Sequence, residues 1–573
     1  MSPKQFPLND SETKEWLRRV GLLSEEDALR IISTIKFNED HLQTLAIKVD
    51  AVLNPVAGDG RFPSLCGFSL WKKRRSEDPQ LKVLYAQQEA TRHSNNMLRS
   101  LLAPIRRLPS EILSEIFKFC LPREKFIRPA AGEAPLLLTQ ICAAWRDVCI
   151  SNAVLWSSLE IVNKNPDTMQ IDPDHRRNIT ALLNMWFSRA GHCLLSFSVQ
   201  DDNILIKNVA ETVGKLAPRW RHLRFNIPED TCLSIPPSNN YSALETFEIY
   251  TPEGLDVCLV EDLSGALLNA PNLWQFIWDN GDRRPSPIDL HWTNLTRLTL
   301  NTSINIAQCL TIMSMLTGIT HLTFQDITMS TCILSRRDII LPELTSFVIC
   351  AECSMAPVFE EITLPKLEEL VLNIKTWSHS SLINFLRRSR CPLESLNLYF
   401  PPLTETELIE CLEIVQNTLK EFTVQGTGNG IHSIGDCLLD RLTDNGKDDV
   451  LCPKVVVIAL YECISCSPGH FARMVESRLT PPSPSIDSDG SSEAKPRPTI
   501  SPIRVIEMYD NEPELEELKT LQSMGLITKV YSNVDGTPLE LEPEEIERLR
   551  TLREEGLIRR VYSPTAGTFG DVD

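Results

Sequence analysis

The 573-residue sequence predicts an α/β chain, with a short helical unit followed by a solenoid of repeats whose strands form one curved parallel sheet. Two observations predict it. An apolar-x-x-apolar-x-apolar pattern returns ten times between residues 194 and 424, at steps of 22 to 29 residues. Ahead of it, residues 104–160 carry apolar side chains at helical spacing, cut by prolines into stretches too short to bury a core of their own.

Composition narrows the function classes. A hydrophobic fraction of 42% with 23% charged residues is that of a globular protein. The net charge of −19 argues against nucleic-acid binding, which needs a basic face to displace counterions, and against attraction to membranes. No run of about 18 apolar residues exists to cross a bilayer. The opening MSPKQFPLNDSETKEW lacks the apolar core of a signal peptide. The 17 cysteines, odd in number and irregularly spaced from Cys66 to Cys466, read as reduced thiols of a cytoplasmic and/or nuclear protein.

Residues 1–100 form a helical lead segment. Leu42, Leu45, Ala46, Val49 and Val52 recur at helical spacing, a Gly- and Pro-bearing loop spans 54–63, and a second helical stretch covers 81–102. Lys72-Lys73-Arg74-Arg75 reads as a solvated loop, with a nuclear-import signal as the alternative.

In residues 101–160, Pro109 stands in a first helical turn, where a missing N–H costs nothing, and Glu111 favours the positive end of the helix dipole. Ile112, Leu113, Ile116, Phe117 and Cys120 make one apolar stripe, ended by Pro122. Pro135 starts a second helix with the stripe Leu138, Ile141, Cys142, Trp145, Val148 and Cys149, and Val154-Leu155-Trp156 closes the unit.

The repeats occupy residues 175–478. They begin Leu194-x-x-Phe197-x-Val199, Trp220-x-x-Leu223-x-Phe225 and Leu244-x-x-Phe247-x-Ile249, and run to Leu419-x-x-Phe422-x-Val424, with further candidates from Val455 and Ile503. This signature and period are those of leucine-rich repeats, each supplying one strand and a return segment that is helical in places, as at 380–388 and 405–415. Target-recognition side chains are expected on the exposed positions of each strand, such as Thr296, Arg297 and Thr299, or Glu368, Glu369 and Val371. Residues 479–500 are a Pro- and Ser-rich linker or loop. Residues 501–573 hold a last strand and a duplication, LEELKTLQSMGLITKVYS matching IERLRTLREEGLIRRVYS, which predicts two similar helix–strand units capping or extending the array.

Signals for chemistry are sparse. The ten histidines are scattered. Cys350-x-x-Cys353 and Cys463-x-x-Cys466 have zinc-like spacing but lie about 110 residues apart, and core or loop thiols are the better reading. No Gly-x-x-x-x-Gly-Lys loop and no Gly-x-Ser-x-Gly elbow occurs. The expectation is a non-catalytic protein with no cofactor and no metal.

Residues 101–159 resemble the F-box of mushroom-forming fungi. The matching residues are Leu108-Pro109-x-Glu111-Ile112-Leu113-x-x-Ile116-Phe117, then Pro135-Leu-Leu-Leu138, Cys142-x-x-Trp145-Arg146-Asp147-Val148 and Leu155-Trp156-Ser-Ser-Leu159. The polar stretch 123–133 is longer than in the shortest members. The resemblance implies a helical F-box that binds the Skp adaptor and, through it, the cullin scaffold of an SCF-type ubiquitin ligase. Leu108, Pro109, Ile112, Leu113, Ile116 and Phe117 would make that contact, with Cys142 and Trp145 from the second helix. The chain would then be the ligase's substrate-recognition adaptor, its repeats holding an unknown protein target. The alternative is a repeat scaffold that binds other proteins without any ligase.

Overall fold

The computed structural model describes residue 13 and residues 24–53, 79–163, 173–201, 214–226, 240–251, 263–281, 291–329, 338–426, 434–446, 449–461, 463–479, 500–503, 505–509, 527–531, 561–563 and 568–570. The Lys72–Arg75 cluster, most of the 479–500 linker and the helical parts of the tail duplication lie outside these. The chain divides into two compact units, residues 1–162 with 172–198, and residues 163–171 with 199–573.

The first unit opens with two helices, Glu25–Leu53 and Pro79–Leu102. The first is longer than the run at 42–52 predicts. The Ser24 hydroxyl caps it by accepting from the Asp27 N–H at 3.1 Å, and Glu25, Glu26 and Asp27 fill its first turn. Its inward residues Ile31, Ile35, Asn38, Leu42, Leu45, Val49 and Val52 alternate in steps of four and three, the spacing of a coiled-coil seam. Leu81, Leu84, Gln88, Thr91, Asn95, Leu98 and Leu102 do the same on the second helix. Ile31 packs with Leu98 and Leu101, while Asn38 Nδ2 donates to Asn95 Oδ1 at 2.8 Å, so the pair runs antiparallel. A buried amide pair in such a seam selects one register.

Short helices follow at Ser110–Phe119, Leu136–Ile141 and Ala143–Ser151, with a 3-10 turn at Ala153–Trp156. Strand β1 (Ser158–Asn163), a helix at Pro173–Arg189 and strand β2 (Leu195–Asp201) complete the unit. A domain boundary was expected near residue 175, yet residues 172–198 belong here. Trp156, fully buried, meets the Trp186 ring edge-on at 4.9 Å, Arg189 lies 4.4 Å over its face, and Trp186 Nε1 donates to the Ser158 carbonyl at 3.0 Å. That aromatic stack ties the helix to the short helices rather than to the repeats.

The second unit is a solenoid-like α/β array. Its strands are β3 (Trp220–Asn226), β4 (Thr246–Tyr250), β5 (Gln275–Gly281), β6 (Arg297–Asn305), β7 (His321–Thr328), the two-residue β8 (Ile339–Ile340), β9 (Ser346–Ala351), β10 (Ile362–Thr363), β11 (Glu369–Ile374), β12 (Ser395–Tyr399), β13 (Glu421–Gln425), β14 (Val457–Tyr461), β15 (Val505–Tyr509) and β16 (Ile527–Tyr531). Apart from β8 and β10, which pair with each other, twelve strands stand side by side in sequence order in one sheet. Every pairing from β3 to β16 in that sheet is parallel.

The repeat pattern accounts for this register. Its second apolar position forms one ladder, Leu223–Phe247–Phe276–Leu298 and onward through Phe347, Leu370, Leu396, Phe422, Ile458 and Ile506. Its third forms another, from Phe225 and Ile249 through Leu372, Leu398, Val424 and Leu460 to Met508. The first position, Leu244, Leu273, Leu295, Ile319, Leu344, Leu367, Leu393 and Leu419, is buried just ahead of each strand. Each such side chain contributes about 1.5–3 kcal/mol.

Parallel neighbours need crossovers. Helices supply them at Ile306–Met315, Ala356–Glu361, His379–Ser389, Glu405–Val415, Asp436–Leu442 and His470–Leu479. Adjacent repeats satisfy one another's helix ends. Glu405 Oε1 accepts from the N–H groups of Gly435 and Leu438 (3.0 and 2.7 Å), at the start of the next helix. Buried Arg478 donates to the carbonyl of Leu442, the last residue of the preceding helix, and to those of Leu451 and Cys452 in the connection that follows, at 2.7–3.1 Å. These contacts answer the orphan groups that every helix terminus leaves.

The tail copies take different places. The strand of the first copy is β16, parallel to β15, whereas that of the second, β17 (Val561–Ser563), pairs antiparallel with β18 (Thr568–Gly570).

Candidate protein-docking surface

The Ser110–Phe119 helix starts immediately after Pro109, whose φ of −57° and ψ of 151° turn the chain into it. Glu111 occupies its first turn, and Lys118 closes a 2.7 Å ion pair with Glu115. The apolar stripe is wide enough to divide. Leu113 and Phe117, four residues apart, turn inward with 6% and 0% exposure, and the Phe117 ring meets Trp145 at 4.9 Å. One residue earlier, about 100° around the helix, Ile112 is 48% exposed and Ile116 half-buried.

The eight predicted contact residues therefore separate into two groups. Pro109 and Ile112 are exposed, and Leu108, Ile116, Cys142 and Trp145 are half-buried. Leu113 and Phe117 are buried within the unit and root the helix. The predicted second helix is two. Cys142 breaks it with extended backbone (φ −159°, ψ 169°), and its Sγ caps the next helix by accepting from the Trp145 N–H at 3.5 Å. Asn152 Nδ2 donates to the Ser114 carbonyl at 3.3 Å, and Cys149 Sγ donates to the Pro135 carbonyl at 3.5 Å, binding the short helices together. Burial pushes the Cys149 thiol up to about 11, which leaves it a core thiol.

Sequence reasoning missed Phe119, the most exposed apolar side chain of this segment at 88%. The signal was present, because 112, 116 and 119 repeat as i, i+4, i+7, one face of a helix. Ile141, assigned to an inward stripe, is 54% exposed, and Leu137 is 39% exposed. The helix break at Cys142 turns the next helix, which carries Trp145 and buried Cys149, away from the course of the first, so one continuous stripe does not form.

The repeat sheet holds a second surface, on the face opposite the apolar ladders. Here Arg297 is exposed and Thr299 half-buried, while Thr296 and Glu368, each just ahead of its strand, are half-buried. Contrary to expectation, Glu369 and Val371 are buried, at 3% and 1%. Val371 packs with Val348 and Tyr399 of the neighbouring repeats, and Phe400 adds to the cluster.

The paired cysteines serve the interior. Cys353 and Cys463 are buried and donate to the carbonyls of Ile327 and Val424 at 3.4 and 3.5 Å, while Cys350 donates to Gln325 Oε1 at 3.2 Å. Burial raises the Cys350 thiol to about 12. Among the described residues no group of three or more His, Cys, Asp and Glu side chains could hold a metal ion, and no helix is long and apolar enough to cross a membrane. No family model matches the chain, and no curated protein matches it.

Proposed function

We propose that the chain is a non-catalytic adaptor of the F-box type. Its short helical unit docks on the Skp adaptor, and through it the cullin scaffold, of an SCF-type ubiquitin ligase. Its leucine-rich-repeat array holds a protein target. The observation that carries this reading is the divided stripe. Leu113 and Phe117 anchor the helix from inside, and Pro109, Ile112 and Phe119 present apolar surface on its outside beside half-buried Leu108 and Ile116. An apolar helical face of this width fits a hydrophobic groove on a partner. The adaptor acts by positioning, raising the effective concentration of a target lysine near the ligase.

Co-purification with the Skp adaptor tests it. Wild-type chain is expected to associate, and the double variant Leu108→Ala/Ile112→Ala to lose association while keeping its thermal midpoint. Absence of association for the wild type overturns the ligase role.

A further inference from the structure

We draw no further inference here: the strongest candidate, the apolar surface that Leu29, Ile32, Phe37, Ile47, Val83 and Tyr85, each 49–70% exposed, leave on the outside of the Glu25–Leu53 and Pro79–Leu102 helix pair, is an unpartnered face, and nothing in the structure shows what covers it.

Discussion

The two units solve burial in opposite ways. In the repeat array every ladder position meets an equivalent residue on the next strand, so the apolar side of the sheet is closed by repetition alone. In the short helices there is no repetition. One half of the 112–119 stripe is buried against Trp145, and the other half is left outside, with Phe119 at 88% exposure. Interior that is shared among neighbours identifies structure, and apolar surface left over after folding is what the proposed docking would use.

The largest expected effect comes from breaking a ladder. Phe347→Ala, fully buried between Leu322 and Leu370, should cost about 3–5 kcal/mol, read as a lowered urea midpoint of the repeat transition. Phe117→Ala should cost a similar amount in the first unit and release the helix that Ile112 stands on. Arg478→Met comes next. It leaves three buried carbonyls without their donor and should lower stability by about 2–4 kcal/mol, visible as faster amide exchange in the Asp436–Leu442 helix.

Ile112→Asp sharpens the comparison most directly. At 48% exposure it should change stability by no more than about 0.5 kcal/mol yet abolish association with the Skp adaptor. A large loss of stability would place Ile112 inside, with Leu113, and remove the distinction between the two halves of the stripe.

The smallest effect is electrostatic. His379 and Arg387 hold the Glu410 carboxyl below its usual range between neighbouring helices, and hydrogen bonds from Ser467, in the turn ahead of the His470–Leu479 helix, do the same for Asp436. A depressed carboxylate stabilises the fold fully above its unfolded value near about 4, and that contribution is lost as pH falls through the lower folded value. Asp436→Asn should therefore lower the neutral plateau of a stability-versus-pH curve slightly and leave its acid end nearly unchanged, so that the acid limb flattens.

Much of the array was legible in the residues. A step of 22 to 29 with three fixed apolar positions allows little besides parallel strands in register, and β3 to β15, apart from β8 and β10, fall on that pattern. The helical unit was legible in its elements but not in its orientation. Ile112 and Leu113 are chemically alike, and nothing in their spacing says which faces Trp145. Nor did periodicity show that Cys142 would interrupt the second helix or that Glu369 and Val371 would be buried, because strand alternation assigns a face without telling what neighbouring repeats place over it.

What the sequence determined by itself, then, was the set of elements and the register of the strands, since periodicity is a local property and repetition carries it along the chain. Which half of the 112–119 stripe turned inward, and that Glu369 and Val371 ended buried, were decided only by tertiary structure. Both depend on the packing of residues distant in sequence, such as Trp145 against Phe117 and Val348 and Tyr399 beside Val371, and no window of the chain contains that information.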